Sequence, residues 1–171
     1  MEAVTERELI SHVLNGRREY FRPLVEAYYS KVLTFLHKSR KPPETIEDLC
    51  QATFLRAFER LSTFQQERRF LPWLLKIAYH LMLEHLRTPR ENLRTESLDE
   101  CQDSLGRPDQ KQSERELFDL CLETLPEAYR LIFLMRHGMK LEYQEMAFIL
   151  DEPMGTIKSH LYRIREILRK K

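Results

Sequence analysis

The 171-residue sequence has four glycines, three cysteines and no long apolar run, and each shortage excludes a class of protein. No stretch approaches the ~18 uninterrupted apolar residues that a membrane span requires, so nothing is expected to cross a bilayer. The amino terminus carries acids where a signal peptide would carry bases, which predicts a cytoplasmic protein. The cysteines are widely spaced and form no Cys-x-x-Cys pair, which indicates reduced thiols rather than disulfides or a metal site.

Motifs of catalysis are also missing. The sequence contains no glycine-rich phosphate loop and no nucleophile motif. His80 and His85 stand five residues apart, about 140° around a helix, whereas the paired histidines of a zinc protease stand four apart on one face. We therefore predict no enzymatic activity, no catalytic residue, no cofactor and no metal site.

Apolar residues recur at three- and four-residue spacing along most of the chain, and strongly alternating runs are absent, which predicts an all-α fold. Thr5 and Glu8 form a predicted capping box, and Gly16 suits the left-handed residue that follows a helix. Four helices ending near Arg87 would make one compact bundle, residues 1–88. After the first, they are predicted from about Glu19 to Lys38, from a cap at Thr45 to Leu61, and over 70–87.

The periodicity breaks after this bundle and resumes at Leu117. Residues 91–116 contain eight acids and four bases, which is typical of a flexible, solvated linker, and we assign the linker to residues 89–114. The second small domain would span residues 115–171. Its four helices are predicted at roughly 115–123, 127–136, 142–150 and 154–170.

The last two of these helices have the pattern of a helix-turn-helix. A three-residue break, "DEP", separates them, and the second helix of such a unit enters the DNA major groove. The expected buried positions are Tyr143, Met146, Ala147 and Leu150 in the first helix and Ile157, Leu161, Ile164 and Leu168 in the second.

The final eighteen residues carry six bases and one acid, although the whole protein has a net charge of only +1. At about 100° per residue, Ser159, Tyr162, Arg163 and Glu166 point away from the apolar face. Arg163 can fork onto a guanine edge or a phosphate. On charge alone, a solvated outer helix face explains the bases equally well, but the charge step from the acidic linker favours DNA. The predicted DNA contacts are Lys158, Ser159, His160, Tyr162, Arg163 and Arg165.

Two stretches together resemble one family. The Glu-Asp-Leu-x-Gln-x-x-Phe helix at 47–54 and the Trp-Leu-x-x-Ile-Ala helix at 73–78 are similar to the second region of extracytoplasmic-function (ECF) sigma factors of bacterial RNA polymerase. Leu-Pro at 125–126, Tyr-x-Glu-Met-Ala at 143–147 and Gly-Thr-Ile-Lys-Ser at 155–159 resemble their fourth region.

Six positions depart from the family pattern. His80 stands where the family usually has Asn, and His160 where it usually has Arg. Lys140 and Asp151 both stand where it favours Gly. Glu84 replaces the usual Asp, and Glu142 replaces a Ser cap. Because the two histidines bear on DNA contact, the promoter sequence cannot be carried over.

The resemblance implies a sigma factor that lends promoter recognition and strand opening to core RNA polymerase. The last domain would bind the minus-35 element and lean on the polymerase flap, and an anti-sigma factor is an expected partner. The implied minus-10 contacts are Arg56, Phe64, Gln65, Lys76 and His80. The implied contacts to the polymerase clamp are Asp48, Leu49, Gln51 and Leu55.

The assigned residue Phe64 and its neighbour Trp73 can be explained as core residues, and the predicted function has a rival. Phe64 could equally be a core residue, and Trp73 is more easily explained as core. The rival is a stand-alone helix-turn-helix regulator whose first domain senses a signal or dimerises. That protein would bind a promoter tightly without polymerase.

Overall fold

The structure, a computed structural model, describes residues 5–37, 43–87 and 110–170. Within these ranges the chain forms α-helices, short 3₁₀ turns and one π-helical turn, and no strand, so the all-α prediction is confirmed. None of the described helices is long and apolar enough to cross a membrane. The helices are α1 (Glu6–Leu14), α2 (Phe21–His37), α3 (Pro43–Glu59), α4 (Phe70–Arg87), α5 (Gln110–Thr124), α6 (Glu127–Phe133), α7 (Tyr143–Leu150) and α8 (Met154–Arg169).

The first four helices pack around one apolar core. Each fully buried Leu or Phe side chain there contributes about 1.5–3 kcal/mol to folding. α2, α3 and α4 pack against one another, and α1 lies against α2. Fully buried side chains of this unit are Ile10, Leu24, Phe35, Leu36, Ile46, Leu61, Phe70, Leu74 and Leu75.

The ends of α1 follow the predicted chemistry. The Thr5 side chain accepts the backbone N–H of Glu8, and the Glu8 carboxylate accepts the backbone N–H of Thr5, which completes the capping box. Gly16 has φ +86°, the left-handed conformation expected after the helix. The Tyr28 hydroxyl donates to the Glu6 carboxylate and ties α1 to α2.

Two predicted helix starts were wrong. α3 begins at Pro43 rather than after a cap at Thr45, because proline is well suited to the first turn, where its missing N–H is not needed. α5 begins at Gln110, inside the segment assigned to the linker, because polar residues can extend a helix beyond its apolar stripe. The rest of the predicted linker, 89–109, lies outside the described residues.

The second unit contains α5 to α8. The predicted regular helix to residue 136 instead changes to a π-helical turn over Leu134–Gly138. A Cβ atom on Gly138 would lie 2.8 Å from Leu134 Cδ1 and 3.1 Å from Phe118 Cζ, so glycine permits α5 to pack closely on this turn. The core of the unit includes Leu125, Met135, Leu141, Met146, Ile149, Ile157 and Ile164.

α7, a tight turn and α8 form the predicted helix-turn-helix. The turn depends on Asp151, which caps α7 in a left-handed conformation with φ +53°. Lys140, before α7, is also left-handed with φ +56°. Glycine adopts this conformation at the least cost, and aspartate is among the few other residues that tolerate it. These are the two positions where the sequence departs from an expected glycine.

Candidate nucleic-acid interfaces

The recognition helix α8 presents its polar face to solvent. Ile157, Leu161 and Ile164 are buried beneath it, and Leu168 is half-buried. Ser159, Tyr162 and Arg163 lie on the opposite side and are exposed, with Tyr162 61% accessible. The predicted facing of the helix is therefore confirmed. Four of its residues line one shallow surface hollow: Lys158, Ser159, Tyr162 and Arg163.

The other two predicted residues on α8 differ in their surroundings. Arg165 is exposed, and its Nε donates to the Leu161 carbonyl of its own helix at 3.4 Å. His160 is half-buried, with Nε2 3.6 Å from Glu152 Oε2 and its ring edge-on to Tyr129 at 5.7 Å. His160 therefore faces the turn and α6 rather than the open hollow.

The residues predicted to bind polymerase form a partial strip on α3. Asp48, Gln51 and Leu55 are exposed, and Leu55 keeps 62% of its surface accessible. Their spacing of three and four residues places them on one side of the helix. Leu49 lies on the other side and is 7% exposed, because its side chain is part of the bundle core. The exposed strip on α3 therefore consists of Asp48, Gln51 and Leu55.

The residues predicted to bind the minus-10 element divide in the same way. Arg56, Lys76 and His80 line one cleft between α3 and α4. Gln65 is exposed on the preceding loop. Phe64 is only 7% exposed, so the core alternative describes its side chain.

Phe64 packs inside an aromatic cluster that supports the cleft. Its ring lies edge-on to Phe70 at 5.4 Å and tilted against Trp73 at 5.3 Å. Trp73 is half-buried and also lines the cleft. The aromatic group available to a ligand here is therefore Trp73, beside the cationic groups of Arg56 and Lys76.

α7 of the second unit lies directly on α4, at the mouth of this cleft. Asp151 joins two of the cleft residues, with Oδ1 2.5 Å from Lys76 Nζ and Oδ2 2.6 Å from His80 Nε2. A second link pairs Arg69 Nη1 with both carboxylate oxygens of Glu145 at 3.0 Å.

Phe148 of α7 completes the lining of the cleft. Lys76 Nζ lies 4.3 Å from the centre of the Phe148 ring, and Arg68 Cζ lies 5.4 Å from it. Both distances fall within the about 6 Å typical of cation–π contacts. The aromatic ring is thus held by Lys76 of α4 and by Arg68 of the loop that precedes α4.

The electrostatics of this contact depend on Asp151. Hydrogen bonds from Lys76 and then His80 lower the pKa of the Asp151 carboxyl below its ordinary value. Burial raises the pKa of the nearby Tyr79 hydroxyl, with the negative charges of Glu152 and Asp151 adding to it. The carboxylate therefore stays ionised at neutral pH beside two donors that the sequence analysis assigned to DNA.

Several of these residues carry no recognisable signal in the sequence. Local patterns indicate no partner for Asp151 or Glu145 and no role for Phe148 or Arg60, although Arg60 also lines the cleft. The pairs that join α4 to α7 are separated by more than seventy residues in the chain, so no local spacing reports them. The one sequence feature that pointed to this contact is that His80 and Asp151 both differ from the residues usual in the family.

The thiols show no metal or disulfide arrangement within the described ranges. Cys50 is fully buried, and burial raises the pKa of its thiol to about 11, with the charge of Glu47 adding to the shift. Cys121 is half-buried and is a free thiol. No cluster of three or more histidine, cysteine or acidic side chains suited to a metal occurs among these residues. Cys101 lies outside them.

The fold and the comparisons together define a transcription initiation factor built from two helical regions. The family described as Sigma-70 region 2 matches residues 24–91, and the family described as Sigma-70, region 4 matches residues 115–168. The ECF RNA polymerase sigma-E factor of Haemophilus influenzae is 28% identical over 183 residues, covering 99% of this chain and 96% of that protein. The factor of the same name from Escherichia coli K12 is 27% identical, covering 99% and 95%.

Two solved structures share the fold. The sigma factor RpoE of Bartonella quintana, solved with the anti-sigma factor NepR, matches with a TM-score of 0.68 and 20% identity over 88% of this chain and 94% of that chain. CnrH, solved with the cytosolic domain of CnrY, matches with a TM-score of 0.66 and 19% identity over 96% and 95%. The chain belongs to the sigma-70 family, in its ECF group, and is an alternative sigma factor. The stand-alone regulator is not favoured, because the first domain is itself a sigma region.

Proposed function

We propose that this sigma factor reads the minus-35 element with the exposed face of α8. The observation that carries the proposal is the solvent-facing hollow of Lys158, Ser159, Tyr162 and Arg163 on the second helix of a helix-turn-helix. Arg163 supplies a forked donor for a guanine edge, and Lys158 supplies a point charge for phosphate. Arg165 and His160 lie at the flanks of this face, where they would contact the phosphate backbone of DNA.

The cleft between α3 and α4 would hold the opened minus-10 strand. Single-strand binding combines cationic groups that follow the backbone with aromatic faces on which bases stack. Arg56, Lys76 and His80 supply polar and cationic groups, and Trp73 supplies an aromatic face. Gln65 lies on the adjoining loop, where it can contact an unstacked base. Phe64 acts through Trp73, which it supports.

The exposed strip on α3 would dock on the polymerase clamp. Leu55 is a large apolar side chain left 62% accessible, with the polar groups of Asp48 and Gln51 beside it. Interfaces commonly combine a buried apolar anchor with a polar rim. Leu49 supports this helix from the core.

Promoter binding requires the two DNA-reading surfaces to separate. Elements centred ~25 base pairs apart lie ~85 Å apart along B-form DNA. Two units in direct contact through α4 and α7 cannot span that distance. The 22 residues between Arg87 and Gln110 could reach at most about 75 Å if fully extended. The described arrangement is therefore a state of the free protein.

Further partners follow from the relatives. Because two fold neighbours were solved with a bound partner, one of them named an anti-sigma factor, we infer that an anti-sigma factor binds this chain too. The chain would act in the cytoplasm, without enzymatic activity of its own, by directing the chemistry of polymerase.

Reconstitution tests the proposal. Purified chain, bacterial core RNA polymerase and a randomised promoter library are combined, and transcripts are sequenced. We expect initiation from a subset of promoters that share minus-35 and minus-10 motifs. Transcription no different from that of core polymerase alone would refute the proposal.

A further inference from the structure

The two proposed DNA-reading surfaces differ in their exposure in the free protein. The polar face of α8 is open to solvent, whereas the cleft on α3 and α4 is met by α7. The groups that α7 presents there are an aromatic ring, Phe148, and a carboxylate, Asp151. They lie three residues apart, at the end of one helix.

We propose that the end of α7 is an intramolecular mimic of single-stranded DNA, in which Phe148 takes the place of a base and Asp151 the place of a phosphate. This proposal rests on the assignment of the cleft to the minus-10 strand. It identifies the structure as a self-inhibited state in which one reading surface is occupied by the chain itself.

The contacts of both groups match the chemistry of the ligand they replace. A base in a single-strand site stacks beside cationic side chains, and the Phe148 ring lies 4.3 Å from Lys76 Nζ and within cation–π distance of Arg68. A phosphate accepts charge-assisted hydrogen bonds from several donors. Asp151 accepts one from Lys76 and one from His80, each through a different oxygen.

The identity of residue 151 supports a role beyond capping α7. A left-handed position after a helix is filled most easily by glycine, which has no side chain to offer. Aspartate tolerates the conformation and adds a carboxylate. Lys140 is a useful comparison, because it is also left-handed and exposed but is not among the residues that line the cleft.

Closure would keep the free factor silent at single-stranded DNA. When only a fraction of molecules is open, the apparent dissociation constant is the intrinsic one divided by that fraction. Binding to polymerase would hold the two units apart and so release the cleft. Polymerase binding would therefore relieve the inhibition by α7.

The single tryptophan of the chain reports on this contact directly. Trp73 lines the cleft together with Phe148, so departure of α7 exposes the indole. We would measure acrylamide quenching of Trp73 in the full chain and in Asp151→Gly. We expect quenching to rise in the variant, with helix content unchanged because glycine favours the left-handed cap. Lys140→Gly makes the same backbone change away from the cleft and should quench like the wild type.

A second measurement tests the mimicry itself. The probe is a fluorescein-labelled pool of ten-nucleotide single strands of random sequence, titrated with each full-length variant. Asp151→Gly should bind about tenfold more tightly than the wild type if about nine-tenths of molecules are closed. Phe148→Ala changes no charge, so a similar gain in this variant excludes simple loss of a repulsive carboxylate.

The outcomes separate cleanly. Unchanged Trp73 quenching in both Asp151→Gly and Phe148→Ala would overturn the closure. Increased quenching without tighter DNA binding would overturn the mimicry, even if the units separate. The reconstituted transcription of the wild-type holoenzyme tests the proposed function independently, because it does not depend on Asp151.

Discussion

The helix-turn-helix surface and the α3–α4 cleft carry similar groups but differ in what they face. Arg163 and Tyr162 on α8 are exposed to solvent, whereas Lys76 and His80 on α4 are joined to a carboxylate of α7. The comparison teaches that a basic side chain on a helix face need not be available to DNA. Availability depends on which other part of the same chain meets that face.

We expect both DNA-reading surfaces to act only on polymerase. The largest effect should therefore come from a variant that binds polymerase poorly. Leu55→Asp places a charge in the exposed strip of α3 and should weaken holoenzyme formation by about 2–4 kcal/mol, as expected for an interface hot spot. Competition binding to core polymerase measures this. Leu14→Asp is the matched control, since Leu14 is also a solvent-exposed leucine but lies on α1. Equal losses of polymerase affinity in both variants would show that the α3 strip is not the polymerase-binding surface.

The assignment of the exposed α8 face is tested by removing its forked donor, Arg163. Arg163→Ala should reduce discrimination between matched and mismatched minus-35 sequences by ~1–3 kcal/mol, measured with holoenzyme on paired promoters. Lys170→Ala is the control and should lower affinity without regard to sequence. Trp73 quenching should not change in either. If Arg163→Ala lowered affinity equally for matched and mismatched sequences, the assignment of the reading face would be wrong.

The contact of α7 with the α3–α4 cleft should weaken as salt is raised. Raising potassium chloride from about 0.05 M to about 0.5 M shortens the screening length and weakens exposed ion pairs, each worth about 0–1 kcal/mol. We expect Trp73 quenching of the free wild-type chain to rise with salt. Asp151→Gly should respond less. A flat wild-type response would show that charge does not hold the units together.

Acid should have the smallest effect. Because the pKa of Asp151 is lowered in the folded chain, its contribution to closure is fully present above the ordinary value of 3.8 and is lost as pH falls through the lowered value. Trp73 quenching should therefore rise in that acidic range before helix content is lost. Asp151→Asn has no group to titrate there and should not show this step. An identical step in both variants would assign it to other carboxyl groups.

Sequence patterns predicted most of the fold because the helices are amphipathic. The capping box at Thr5, the bounds of α4, the break before α8 and the face of α8 all follow from local chemistry and period. Helix starts at Pro43 and Gln110 were missed, because a polar first turn leaves no apolar signal. The π-helical turn after α6 depends on tertiary packing around Gly138.

The candidate site was only partly predictable. Residue type and resemblance led to Arg56, Lys76 and His80, which the structure brings to one cleft. They could not separate Leu49 and Phe64, which are core residues, from exposed neighbours on the same segments. The contact of Asp151 with α4 was beyond local patterns, because it joins residues more than seventy positions apart.

The most direct test of the account is the distance between the two units before and after polymerase binds. Donor and acceptor dyes are placed at Asn15 and Asp119, which are exposed on opposite units and outside the proposed contacts. Energy transfer should be high in the free chain, lower in free Asp151→Gly, and lowest when core RNA polymerase is added to either. Low transfer in the free wild-type chain, or transfer unchanged by polymerase, would contradict the account.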